Sequence, residues 1–581
     1  MNTPDADARS RFRRALRSYR GRFGSRRTVR SDLTAGLIAG VESVPDGLAA
    51  GLLAGVNPLH GLYGYLFGTL GGALATGSVF MSVQATGAMA VIISDVPETQ
   101  SGPGAGAALT TLALLTGVIM LALGLAGAGK LVRFIPTAVL VGFINAVAVN
   151  IILGQLETVT GYAAEGANRV VQAVDTLLNV ANFNWRAVLI GVVTVVLIIL
   201  LERTRIGPLG MVAAIIVGSA LAAILPGPRV ELVSDVAQIP AALPGLTPPD
   251  LGVVGALIVP AVSLALVGLV QGAAISGSIP NPGGKLPDPS ADFRGQGIAN
   301  LAAGLFHGMP VGGSMSGTAM VRAAGARSAL ANLVAALVML VTIVAFAPAI
   351  GTIAMPALAG LLILVGARTM KPAELRFVWR TGPVQAAVLS VTFVLTLLIP
   401  LQYAVLAGVG LAVVLHVSRQ SSRVRVRAWR FAAHAMLPRE GAPPRVLPPD
   451  ETVVLVIYGS VFFAAAPVLA EQLPAVAETS RGSAVVLRLR GTDEFGSTFI
   501  RVIERYASEL HAAGGTLILC GIGPRAEAQL RSTGLQELLG ADHVFTATEQ
   551  IGDSLEQALR AAARWRAARP DPDQRPGLTN H

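Results

Sequence analysis

The sequence predicts a polytopic α-helical membrane protein that ends in a separate α/β domain. Hydrophobic residues make up 53% of the 581-residue chain and charged residues only 13%, whereas soluble domains sit near 25% charged. Between residues 31 and 418, apolar runs follow one another with few charges, and about 20 apolar residues cross a bilayer as a helix. After residue 450 the chain turns to mixed charge and short alternating strand and helix patterns. Such alternation is that of a small α/β sheet with mainly parallel strands.

Five regions follow along the chain. Residues 1–30 form a basic lead, with nine arginines and no acid between Arg11 and Arg30. Residues 31–418 are the membrane domain, 419–450 a basic, Pro-rich linker, 451–566 the α/β domain and 567–581 a disordered tail. Arg419, Arg423, Arg425, Arg427 and Arg430 follow the last apolar segment. Arginines beside membrane spans are kept on the cytoplasmic side. Both termini are therefore expected in the cytoplasm, with an even number of spans across an inner (plasma) membrane. The same arginine runs suit nucleic acid, but their place beside spans argues against it. No apolar stretch of signal-peptide type precedes the first span.

Spans are expected near 33–55, 58–76, 79–95, 107–127, 136–156, 185–202 and 208–225, and again near 252–277, 293–308, 314–324, 329–350, 355–367, 384–400 and 402–418. The segments 79–95 and 314–324 are too short for a bilayer of about 30 Å, and both follow Gly- and Ser-rich stretches. Short, interrupted segments at corresponding places in two halves point to an inverted repeat with its site between them. Seven plus seven is the natural division. The stretch 168–180, with Arg169 and Asp175, reads as amphipathic and is placed on the surface.

Half-helices at 84–95 and 314–324 would each present free N–H groups and a positive dipole end, which together suit an anion without metal or cofactor. Gln84, Thr86 and Gly87 would line one side, and Gly313, Ser314, Ser316, Gly317 and Thr318 the other. Gln271 is a polar side chain in an otherwise apolar span, suited to substrate or to bridging helices. Glu42 and Asp46 stand at i and i+4 around Pro45, on one helix face. Charge at membrane depth is kept where it serves a pathway, so the pair suits proton coupling. His307, just before the second short segment, is a candidate pH sensor. Cys520, the single cysteine, ends an apolar strand and reads as a buried side chain. The chain holds neither a phosphate loop of GK[ST] type nor a His/Cys metal cluster. An enzyme or ATP-driven pump is therefore not expected.

The residues also resemble a family. VPDGLAAGLLAGVNPLHGLYG (44–64), IPTAVLVGFINAVAVNIILGQL (135–156) and FRGQGIANLAAGLFHGMPVGGSMSGTAMVRAAGARS (293–328) resemble the SulP (sulfate permease) anion transporters. GSVFFAAAPVLAEQL and DEFGSTF resemble the STAS domain that such transporters carry. The resemblance implies fourteen segments in two inverted repeats, core and gate domains, and half-helices 3 and 10 facing each other across the substrate. It also implies a homodimer and a cytoplasmic STAS domain that can bind a regulatory partner. Relatives carry sulfate, bicarbonate, chloride or dicarboxylates, some with protons or sodium. Several positions depart from the family pattern: Asp46 replaces Gln, Ala85-Thr86 replaces Gly-Pro, and Ser316-Gly317-Thr318 lacks the usual Arg. Gln271 stands where sodium-coupled relatives place an acid. Gly496 replaces the Asp of the STAS loop, leaving Ser497 and Thr498 as regulatory candidates. The expected function is secondary transport of a small anion, with proton symport first. Uncoupled exchange or a channel, a nucleobase permease-like carrier and a STAS-signalling scaffold are the alternatives.

Overall fold

A computed structural model describes residues 22–24, 27–100, 102, 104–129, 136–166, 168–204, 206–236, 242–400, 403–404, 407, 410–411, 414–415, 424–431, 437–459, 465–491 and 494–568. The chain divides between Ala412 and Val413 into two compact units. The expected last span, 402–418, lies largely outside the described residues, as do most of the basic lead and the tail beyond Ala568.

The first unit is helical. In chain order its longer helices are α1 (Val29–Leu53), α2 (Pro58–Ala75), α3 (Gly87–Ser94), α4 (Ala105–Leu125), α5 (Thr137–Leu153), α6 (Arg169–Leu178), α7 (Trp185–Glu202) and α8 (Gly210–Ile224). After these come α9 (Val254–Ser278), α10 (Pro289–Leu305), α11 (Met315–Ala323), α12 (Leu330–Ala345), α13 (Met355–Thr369), α14 (Pro372–Thr381) and α15 (Pro383–Leu398). Five of the described helical stretches are long and apolar enough to cross a membrane. Two short strands, β1 (Ser82–Gln84) and β2 (Gly312–Ser314), lead into α3 and α11.

These helices pack as two bundles. α1 to α4 gather with α9 to α12, while α5, α7, α8, α13 and α15 form the other group. The two meet where α3 packs on α5 and where α1 packs on α13 and α8. Small residues let the backbones approach: a Cβ on Gly61 of α2 would stand 2.1 Å from the carbonyl oxygen of Gly47 on α1. α1 runs unbroken through Pro45, although a proline removes one intrahelical hydrogen bond. The breaks fall instead at β1 and β2. α6 is the amphipathic surface helix that its sequence suggested, with Val171, Val174, Leu177 and Leu178 exposed.

The second unit holds a six-stranded sheet in the order β4-β3-β5-β6-β7-β8. Its strands are β3 (Arg425–Arg430), β4 (Arg439–Gly441), β5 (Thr452–Tyr458), β6 (Ala484–Arg488), β7 (Thr516–Ile522) and β8 (Val544–Thr546). β5 through β8 are parallel, and β3 is antiparallel to β5. Period-two alternation sends Leu455, Val485, Leu487 and Leu519 to a core with α17 (Ser497–Ala512). Val454, Val486, Ile518 and Cys520 face α19 (Asp553–Ala567) on the other side. The short helices α16 (Ala466–Gln472) and α18 (Pro524–Ser532) complete the fold. The linker expected at 419–450 needs correction. Its residues 425–430 and 439–441 are strands of the sheet, and RVRAWR alternates exposed and covered positions as a strand does.

Candidate functional site

β1 and β2 pair antiparallel, Ser82 with Ser314, Val83 with Gly313 and Gln84 with Gly312. Because the strands run in opposite directions, α3 leaves the ladder at one end and α11 at the other. Both helices thus direct their N-termini, the positive dipole ends, back toward the ladder. Thr86 is the N-cap of α3, its hydroxyl accepting from the Met89 amide at 3.4 Å. Ser314 is the N-cap of α11, its hydroxyl accepting from the Gly317 amide at 3.1 Å.

Most of the residues singled out in the sequence gather here. Thr86 Oγ1 donates to Gln271 Oε1 at 3.1 Å, tying α9 to the start of α3. Ser316 Oγ lies 3.2 Å from Ser314 Oγ, on an exposed first turn. Gly317 leaves room for Gln84: a Cβ there would lie 2.4 Å from Gln84 Oε1. Gly87 fits under α5, where a Cβ would meet Ile151 Cδ1 at 2.7 Å. Gln84 is buried, its Nε2 donating to Ser43 Oγ at 3.3 Å and its Oε1 without a partner. Ser43 sits between Glu42 and Asp46 in sequence, so this bond joins the ladder to the acidic stretch of α1.

Two expected ligands play a different part. The Gly313 amide already donates to Gln296 Oε1 at 2.9 Å. Thr318 is fully buried, donating to the Ser314 carbonyl and accepting from the Ser82 amide at 3.1 Å. These two hold the ladder together and offer it nothing to bind with.

A set of polar side chains that the sequence reading passed over fixes the ladder from behind. Asn300 of α10 clamps Val311, donating to its carbonyl at 2.7 Å and accepting from its amide at 2.8 Å. Asn332 of α12 accepts from Ser82 Oγ at 3.0 Å and donates to the Met81 carbonyl at 3.1 Å. Asp292 accepts from Ser78 through its amide and hydroxyl, and from Ser276 Oγ. The available signal was their depth: polar side chains inside apolar helices have a job by default.

Tyr65 of α2 donates to Asp46 Oδ2 at 2.6 Å. Glu42 Oε2 is buried without a hydrogen-bond partner. Glu42 lies within electrostatic reach of the ion pair of Arg368 with Glu202, which is bidentate at 3.0 and 2.5 Å. His307 has a left-handed backbone, φ 56°. Its carbonyl accepts from His60 Nδ1 at 2.6 Å, and the two rings stack 6.2 Å apart. In the second unit, Ser497 and Thr498 are exposed on the first turn of α17. Among the described residues no group of His, Cys, Asp and Glu could hold a metal ion.

Two interrupted segments paired inside an apolar helical bundle make the device of a membrane transporter. Residues 29–392 match the model of the sulfate permease family, and residues 444–554 that of the STAS domain. The candidate sulfate transporter YvdB of Bacillus subtilis is 25% identical over 540 residues, 92% of this chain and 99% of YvdB. The bicarbonate transporter BicA of Picosynechococcus is 28% identical over 405 residues, 68% and 71% of the two chains. The murine Solute Carrier 26 family member A9 anion transporter, solved in the inward-facing state, superposes with a TM-score of 0.81 at 19% identity, covering 94% of this chain and 93% of that one. The chain belongs to the sulfate permease family and carries its STAS domain at the C-terminal end. Its relatives are transporters and not enzymes.

Proposed function

We propose that this protein is a secondary transporter that carries a small anion of the sulfate, bicarbonate or dicarboxylate class across the inner membrane by alternating access. The observation that supports it most is the β1–β2 ladder with an N-capped half-helix leaving each end. The anion would sit at the ladder between Gln84, Thr86, Gly87 and Gln271 on one side and Ser314, Ser316 and Gly317 on the other. The positive ends of α3 and α11 supply the attraction. Glycine at 317 adds no side-chain cation to them. Within that class a singly charged anion such as bicarbonate therefore suits the site better than a dianion needing an arginine.

The described helices supply thirteen of the fourteen segments of a seven-plus-seven inverted repeat, in the order that it requires. α3 and α11 are the third and tenth, and the short helices α6 and α14 take equivalent places between spans. α1 to α4 with α9 to α12 form the moving core, and the remaining spans form the gate. Proton symport rests on Glu42, whose buried Oε2 lacks a partner and whose carboxyl is thus free to exchange a proton. Asp46, held by Tyr65, is the secondary candidate. His307, its ring stacked on that of His60 just before β2, is the candidate pH sensor. The protein is read as a dimer with both termini in the cytoplasm, its STAS unit open to a regulatory partner and to modification at Ser497 or Thr498.

Uptake by proteoliposomes of labelled sulfate, bicarbonate, fumarate, chloride and uracil, with and without an inward proton gradient, tests the reading. Gradient-stimulated uptake of one anion supports symport. Counterflow indifferent to the gradient replaces symport by exchange. Uptake of uracil alone overturns the anion assignment.

A further inference from the structure

Arg169 occupies a place that transport of the substrate alone does not explain. It begins the amphipathic helix α6, which packs on α5 of the gate bundle. Its guanidinium does not turn to solvent. Nη2 donates to Ser94 Oγ, and Ser94 is the last residue of α3, the core half-helix whose other end lines the ladder. Nη1 reaches the Asn150 carbonyl at 3.5 Å, in the last turn of α5, and the side chain passes Gly154, the C-cap of that helix, with Nε 3.5 Å from where a Cβ would stand. Asp95, the C-cap of α3, lies within electrostatic reach.

One cation therefore rests on the negative ends of two helices that belong to different bundles. Each helix C-terminus carries roughly half a negative charge, and the Asn150 carbonyl takes the arginine beside the Gly154 amide that it already accepts from. A guanidinium, with five donors in a rigid fork, is able to serve both at once. Lysine's point charge is not built for that.

We propose that Arg169 is a latch between the core and gate bundles, closed in the conformation described, which alternating access must open on each cycle. The inference rests on the alternating-access reading of the transporter. When the core moves against the gate, α3 and α5 must slide past each other where Gly87 meets Ile151. Arg169 is pinned to α3 at Ser94, the end away from Gly87, and to α5 at Asn150, the neighbour of Ile151. Its release is then a step of the cycle, and its strength biases the resting population toward the closed arrangement.

The test reads conformation instead of flux. An Ile151→Cys variant of the full chain, in proteoliposomes, is labelled with a membrane-impermeant maleimide. Ile151 is covered at the α3–α5 contact, and Cys520 is buried in the other unit, so the background is low. Adding Arg169→Gln is expected to speed labelling of the introduced thiol by about tenfold, the usual order for a lost hydrogen bond to a charged group. Ser94→Ala, which removes one arm and leaves the arginine, is expected to speed it by about threefold. Arg169→Lys is expected to fall between Arg169→Gln and the parent. Labelling rates in Arg169→Gln and Ser94→Ala that equal the parent, in protein eluting as one folded species, overturn the latch. Because the readout needs no substrate, a silent uptake panel would sink the proposed function without touching this result. Faster labelling with unchanged transport would place the latch outside the cycle and overturn its role as a required step.

Discussion

Tyr65 and Asp46 face each other across the α1–α2 contact, the phenol donating to the carboxylate at 2.6 Å. Each is on a helix that the glycines of the other allow close, Gly47 and Gly51 against Gly61. The bond therefore sits at a crossing with no slack to absorb its loss. Replacing Tyr65 by Phe keeps the ring and strands Asp46, and a buried acceptor left unpaired costs about 1–3 kcal/mol. Tyr65→Phe is expected to lower the melting temperature of the detergent-solubilised protein. Adding Asp46→Asn should recover part of the loss, since a neutral amide is less costly to bury. No recovery would mean that the pair is not the source.

Gly317→Ala and Gly87→Ala make a matched pair at the two half-helices. At 317 the new Cβ would meet Gln84 Oε1 at 2.4 Å, while at 87 it would meet the far end of Ile151 at 2.7 Å. Gln84 is held by Ser43, whereas the Ile151 side chain can swing by rotamer change. Gly317→Ala is expected to reduce anion uptake by about tenfold or more and Gly87→Ala by no more than about threefold, on the usual cost of overpacking. Initial uptake rates per folded protein decide it.

Asn300 holds both polar groups of Val311 at once. Asn300→Ala strands a buried donor and a buried acceptor, at about 1–3 kcal/mol each. We expect a lower melting temperature together with weaker anion affinity, because Gly312–Ser314 are no longer fixed. Equal affinity in a destabilised protein would confine Asn300 to stability.

Glu42→Gln removes the carboxyl proposed to carry the proton while keeping its shape. Stimulation of uptake by an inward proton gradient should vanish, and anion counterflow should persist. Loss of both would instead assign Glu42 to the fold.

Burial pushes the Cys520 thiol up to about 12, with the nearby Arg488 opposing more weakly. A raised folded-state value means that the native protein keeps a proton which the unfolded chain, titrating near 9, gives up. The thiol's stabilising contribution is intact below pH 9 and is lost as the pH rises toward 12. In the full chain at pH 8 a maleimide should label Cys520 at least roughly a hundredfold more slowly than after denaturation, since the thiolate is the reacting form. Cys520→Ser should flatten the alkaline limb of the stability curve. Rapid labelling of native protein would contradict the burial.

The sequence made the helical bundle legible because span length and apolar content need no neighbours to be recognised; Trp185–Glu202 is even bounded as expected. The half-helices were legible too, since Gly- and Ser-rich stretches before short apolar runs leave backbone groups that must be satisfied by something close. What satisfied them was not. Three residues each in SVQ and GGS carry no strand pattern, and only their pairing across the chain reveals β1 and β2. Asn300 and Asn332 look alike in sequence to any polar residue in a span, and their partners are backbone atoms of other segments. β3 was missed for another reason: its three arginines read first as a membrane flank, although RVRAWR also has the alternation of a strand.

The ladder has a consequence for biosynthesis. Ser82 cannot find its partner until Ser314 has been made, so α3 enters the bilayer as a stub too short to stay there alone and with β1 unpaired. Half a protein would hold half-helices without a site, and quality-control proteases would meet that intermediate on every chain produced. A ribosome stalled before residue 312 should therefore leave a nascent chain sensitive to cleavage around Ser82, and synthesis past Ser314 should abolish that sensitivity.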